Sequence, residues 1–170
     1  MIDLETMGQG ANAAIIAIGA VEFDPRGGTL GREFYTVVDL KSSVAAGGVI
    51  DTSTVLWWMR QSDAARREFE RPGQKIDAAL PAFTRFIQDK HVRIWGNGAS
   101  FDNVILNSAY RRFGIDAPWK FWNDRCYRTI KNLFPNVPMP TNKTAHNALE
   151  DAKTQALHLI AIGQHTGIFL

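Results

Sequence analysis

The chain has 170 residues, 45% of them hydrophobic and 21% charged, which is the composition of an ordinary globular protein and excludes a disordered chain. That length suffices to bury a full core, so one domain over residues 1–170 is expected. A formal net charge of +2 excludes a polybasic nucleic-acid coat, while an enzyme acting on nucleic acid needs only a local basic surface.

Taken in chain order, Met1 to Glu5 is a short apolar–acidic alternation, followed by a turn at Met7-Gly8-Gln9-Gly10. Ala13 to Phe23 reads as a buried strand, Asp24-Pro25-Arg26-Gly27-Gly28 as hairpin punctuation, and Glu33 to Val38 as a third strand pairing back. From Asp51 the period changes to that of helices. Asp51, Thr52 or Ser53 caps a helix through Leu56, Trp57 and Met59, and a polar helix covers Ala64 to Phe69. An amphipathic helix starts at Asp77, with Leu80, Phe83, Phe86 and Ile87 on one face. Val92 to Trp95 is a fourth strand, and Phe101 to Phe113 a helix beyond the Gly96-Asn97-Gly98 turn. Trp119 to Trp122 reads as a last strand, with closing helices near Asp124 to Leu133 and Asn147 to Gln164 and a mobile proline-rich loop, Pro135 to Thr144, between them. Three strands, helices, a strand and more helices make an α/β fold with a mixed sheet.

The single cysteine, Cys126, leaves no internal disulfide, and no zinc-ligand spacing of Cys and His occurs. The most apolar run, Ala13 to Val21, is too short to span a bilayer. Asp3 and Glu5 stand where a signal peptide needs a basic region and an apolar run. A cytoplasmic location with no membrane partner is expected.

The chemistry lies in the acids. In Ile2-Asp3-Leu4-Glu5 a strand points both carboxylates to one face and Ile2 and Leu4 to the other. Two anions on one face repel, a conflict that a divalent cation removes; a solvated strand end is the alternative. Asp102 follows the fourth strand and opens a helix. An acid in a first turn meets the helix dipole favourably, with Ser100 available as the cap, but Asp102 also lies where α/β folds place ligands, just past the end of a strand. In His146-Asn147-Ala148-Leu149-Glu150-Asp151, one continuous helix would set His146 and Asp151 roughly 140° apart. Asn147 and Glu150 make a near capping box, so the helix begins after His146 and leaves the imidazole on the loop.

Together, D-x-E on the first strand, an Asp opening a helix in Phe101-Asp102-Asn103, and H-x4-D at the last helix resemble the DEDDh 3′→5′ exonuclease superfamily. That superfamily includes ribonuclease T, oligoribonuclease and polymerase proofreading domains. The stretches Ile2 to Gly8, Gly98 to Leu106 and His146 to Ala152 are similar to a phage and prophage branch related to adenylate-preferring exoribonucleases. Strand one has only Met1 and Ile2 ahead of Asp3, which is read either as a short strand or as a natural start lying upstream.

The resemblance implies a ribonuclease H-like fold, a mixed sheet with flanking helices. It implies two Mg²⁺ or Mn²⁺ ions about 3.5–4 Å apart, held by Asp3, Glu5, Asp102 and Asp151, with His146 as the base that activates water. Thr6, Met7, Gly8 and Phe101 would border the terminal nucleotide, Met7 packing on its base or else filling core. The implied substrate is single-stranded nucleic acid with a free 3′ end, RNA favoured over DNA, cut to nucleoside 5′-monophosphates. Basic residues from Arg111 to Lys131 interleave with Trp119, Phe121, Trp122 and Tyr127, as a stacking surface or as an alternating strand and solvated helix. Of Trp57 and Trp58 one is expected in the core, the other facing a base or the second subunit of a homodimer.

Overall fold

The computed structural model describes residues 1–142 and 146–169. Its first element is an antiparallel meander of β1 (Ile2–Thr6), β2 (Ile15–Asp24) and β3 (Thr29–Val37). Helices α1 (Leu40–Ala45), α2 (Thr52–Met59), α3 (Asp63–Glu70) and α4 (Ile76–Phe86) follow. Next come β4 (Ile94–Gly96), α5 (Asp102–Arg112), β5 (Asp124–Cys126), α6 (Tyr127–Leu133) and α7 (Ala148–Thr166). No helix among the described residues is long and apolar enough to cross a membrane.

The period-2 pattern of β1 decides which layer each side chain enters. Ile2 and Leu4 join the main core with Ile18, Phe83, Ile105 and Leu106, so this face of the meander is covered by α4 and α5. Asp3 and Glu5 point to the other face, opposite Gly19 and Ala17 of β2. Helix α7 covers that second face, packing Ala152, Ala156 and Leu159 against Met1 and Val21. Small residues let the helix come close. A Cβ on Gly19 would lie 2.2 Å from the carbonyl carbon of Ala148, so only glycine admits the first turn of α7 at this height.

The expected mixed sheet is built as two ladders. β4 and β5 pair in parallel, and β4 lies beside β1 without a strand ladder between them. The reason is local: the Leu4 N–H of β1 donates to Asp102 Oδ1 at 3.0 Å, so a side chain takes the bond that a neighbouring strand would have made.

Three elements differ from the sequence reading. Trp119 to Trp122 is not a strand: Trp119 is buried, its Nε1 donating to Asp124 Oδ1, and Phe121–Asn123 form a 3₁₀ turn. Asp124–Cys126 is then drawn into β5 by pairing with β4, which delays the start of α6 to Tyr127. Helix α1 went unseen because Leu40 to Ala45 lacks an apolar period; Asp39 caps it by accepting from the Ser42 N–H.

Gly19→Ala is expected to push α7 off the sheet at a cost of about 1–3 kcal/mol, the usual scale of overpacking. Chemical denaturation checks this; unchanged stability would mean that the approach of Ala148 to Gly19 is not a constraint.

Candidate active site

The site is a cleft of about 1020 Å³ whose lining includes Asp3, Glu5, His146, Asp151 and Gln155. Asp3, Glu5 and Asp151 each bring one ligand atom into a group whose atoms all lie within 4.8 Å of one another. β1 supplies two of these acids and the first turn of α7 the third.

Asp102 stands apart from that trio. It is 1% exposed, and both its oxygens accept backbone N–H groups, Oδ1 from Leu4 at 3.0 Å and Oδ2 from Asn97 at 2.7 Å. Instead of capping its own helix, it ties β1 to the turn after β4. Gly96 makes room for it, since a Cβ there would meet Asn103 Oδ1 at 2.5 Å and Asp102 Cβ at 3.0 Å.

His146 begins the turn into α7 with a left-handed backbone, φ 64°. Asn147 caps the helix, its Oδ1 accepting from the Glu150 N–H at 3.2 Å, as the capping-box reading expected. The His146 N–H donates to Asp151 Oδ2 at 3.1 Å, and Asn142 Nδ2 donates to Asp151 Oδ1. The imidazole lies edge-on to Trp57, ring centres 4.9 Å apart, and 6.0 Å from Trp58. Of the tryptophan pair, Trp58 is the buried one and donates from Nε1 to Thr6 O; Trp57 is 42% exposed at the cleft wall.

Thr6, Gly8 and Phe101 line the cleft with the acids. Thr6 is buried, its hydroxyl donating to Gly8 O at 2.7 Å. Asp51 leaves its cap role unfilled and accepts the Gln9 N–H instead, which ties this segment to the start of α2. Met7 is half-buried against Ile16, Trp58 and Ala65 and lines a separate groove beside Leu40 and Val44. Of the basic run, Arg128 borders the cleft, as does Arg60 at the C-terminal cap of α2, while Trp119 and Tyr127 are core and Phe121 and Trp122 are exposed. The expected loop from Pro135 contributes Met139 to the cleft, while Lys143 and Thr144 at its far end lie outside the described residues.

Burial raises all four acids, and the charges of their neighbours add to it at Asp3 and Glu5. Burial, then the charges of Asp102, Glu5 and Asp151, pushes Asp3 well above the usual carboxylate range, opposed by a hydrogen bond from Gln155. Burial, with Asp151 and Asp102, pushes Glu5 up to about 8. Burial pushes Asp102 up to about 6 against its two backbone donors and Arg128. Asp151 is also raised by burial, with His146 pulling the other way. Glu5 Oε1 is buried without a hydrogen-bond partner among the described residues. An all-oxygen donor set carrying excess negative charge and an orphaned carboxylate oxygen fits a hard divalent cation.

The similarities of the chain are to exonucleases. Residues 1–162 match the family described as the 3′-5′ exoribonuclease Rv2179c-like domain, and the chain belongs to that family. It is 29% identical over 194 residues to an exodeoxyribonuclease of Enterobacteria phage T4, covering 92% of this chain and 85% of the relative. Its fold is that of exonuclease X, solved in complex with 5′ overhanging duplex DNA, with a TM-score of 0.60 at 20% identity over 98% of this chain and 92% of the other.

The raised acids fix the sign of a pH effect. The folded, metal-free protein holds protons on Glu5 and Asp102 more tightly than the unfolded chain does. Their contribution to stability is therefore present at low pH and is lost as pH rises from 4.5 to about 8 for Glu5, and from 3.8 to about 6 for Asp102. Melting in chelator should show this loss between pH 5 and 8, and saturating Mg²⁺ or Mn²⁺ should suppress it. A pH-independent melting temperature in chelator would contradict the acid cluster.

Proposed function

We propose that this chain is a DEDDh-type exonuclease on a ribonuclease H-like fold. It removes nucleoside 5′-monophosphates one at a time from the 3′ end of single-stranded nucleic acid, RNA in preference to DNA. One observation carries the reading: three carboxylates from two distant elements meet within 4.8 Å, and the loop bearing His146 is hydrogen-bonded to one of them.

Two Mg²⁺ or Mn²⁺ ions, when bound, would supply Lewis-acid activation of water and of the phosphate. Asp3, Glu5 and Asp151 would hold them, with Asp102 serving the second ion through the lone pairs that its backbone bonds leave free. His146 takes the proton of the attacking water at an imidazole nitrogen, oriented by the edges of Trp57 and Trp58. Thr6, Gly8 and Phe101 border the terminal nucleotide, and Arg60 and Arg128 offer charge to its phosphates from the walls.

The RNA preference is supported by the family's description as exoribonucleases and by the unpartnered Glu5 Oε1, an acceptor for a sugar hydroxyl. A DNA-specific exonuclease is the second reading, favoured by the exodeoxyribonuclease relative. A time course on 5′-labelled RNA and DNA of one sequence, linear and circular, separates the two. We expect 3′ laddering of linear RNA, slower laddering of DNA, intact circles, and no reaction in chelator. DNA cut as fast as RNA removes the sugar preference alone; 5′ laddering, 3′-phosphate products or full activity in chelator removes the mechanism.

His146→Ala is expected to lower the rate on the order of 10²–10⁴-fold with metal binding retained. Asp151→Ala is expected to lose metal and activity together. Equal loss of metal affinity in both variants, measured by titration calorimetry, would reassign His146 from base to ligand.

A further inference from the structure

Gln155 follows Asp151 by one helical turn on α7, so the two project from the same face. Its buried neighbours on α7 include the apolar Ala152, Ala156 and Leu159, and His158, whose two ring nitrogens are hydrogen-bonded to Tyr127 Oη and Val137 O. Gln155 is 3% exposed yet borders the cleft. Its Nε2 donates to Asp3 Oδ1 at 2.7 Å, a bond between residues 152 positions apart. Its Oε1 is buried and has no hydrogen-bond partner among the described residues. An apolar side chain of equal length would fill the same space without leaving an acceptor unsatisfied, so packing does not explain an amide here.

We infer that Gln155 is a positioning residue of the metal centre: its N–H fixes the rotamer of Asp3, one of the acids that would ligate the cation. The inference rests on the metal-dependent reading above. A carboxylate that ligates metal must present its oxygens in a set direction, and hydrogen bonds from outside the ligand shell set it. A lysine at this position would cancel charge that attracts the cation, and a glutamate would add a further anion. The amide orients Asp3 without doing either.

The test uses Mn²⁺ alone as the probe, with calorimetric titration of the wild-type protein, Gln155→Met and Gln155→Leu, and melting of each in chelator. We expect Mn²⁺ affinity to fall on the order of 10–100-fold in both variants, the usual effect of removing an outer partner of a metal ligand. Melting in chelator should stay level or rise, and the Mn²⁺ concentration for half-maximal activity should climb in step with the affinity. Unchanged affinity in folded variants, with or without lowered melting, overturns the inference and leaves the metal-dependent reading standing. Failure of both variants to fold overturns it too, because the amide would then be needed for packing. Wild-type protein that takes up no Mn²⁺ removes the metal-dependent reading, and the inference with it.

Discussion

The carboxylate of Asp102 is the joint of the structure. With one oxygen on the Leu4 N–H and the other on the Asn97 N–H, it fastens the antiparallel meander to the parallel pair where no strand ladder does so. Backbone groups at a sheet junction must find partners, and a buried charged acceptor serves two at once. Everything that lines the cleft is placed relative to this joint. β1 is held at the height where Asp3 and Glu5 clear the sheet, and the turn after β4 is held open beside them. Gly96 is the corollary, since any side chain there would meet Asp102 and Asn103.

Apolar packing explains why the acids are tolerated. A protein that buries carboxylates near one another works against desolvation and mutual repulsion, and both act here on Asp3 and Glu5. The cluster survives because it is clamped from both sides by packing unrelated to charge. Ile2 and Leu4 root β1 in the main core, and α7 is pressed onto the opposite face through Ala152, Ala156 and the gap at Gly19. Apolar burial holds the acids at a spacing that electrostatics alone would widen. That is the pre-organisation a cation-binding site needs, since its ligands are set before the ion arrives.

Much of this was legible in the residues. The D-x-E alternation announced a shared face for Asp3 and Glu5, and the capping box at Asn147 announced that His146 sits outside the helix that carries Asp151; both are as the structure has them. These signals are local, set by the period of a strand and by the orphan donors of a helix start. What escaped was decided by tertiary partners. Trp119 to Trp122 has strand composition, yet Asp124 anchors the Trp119 indole and β4 recruits the next three residues instead. Asp102 read as a first-turn acid or as a ligand just past a strand end, and nothing near it in sequence shows that its partners are Leu4 and Asn97. Gln155 carried a faint signal, a polar residue one turn beyond Asp151 on a face that also buries Ala152, Ala156 and Leu159. Its bond to Asp3 joins opposite ends of the chain, and no window of sequence contains both.

That same separation has a consequence for how the molecule comes into being. The acids of β1 are synthesised well before the helix that completes their cluster, 152 positions separating Asp3 from Gln155. Closing so long a loop is slow relative to local structure, and it happens only when α7 docks. A growing chain thus carries half of the acid cluster, two carboxylates without the third, until α7 docks. The cluster is completed in a single late event, coincident with the completion of the fold.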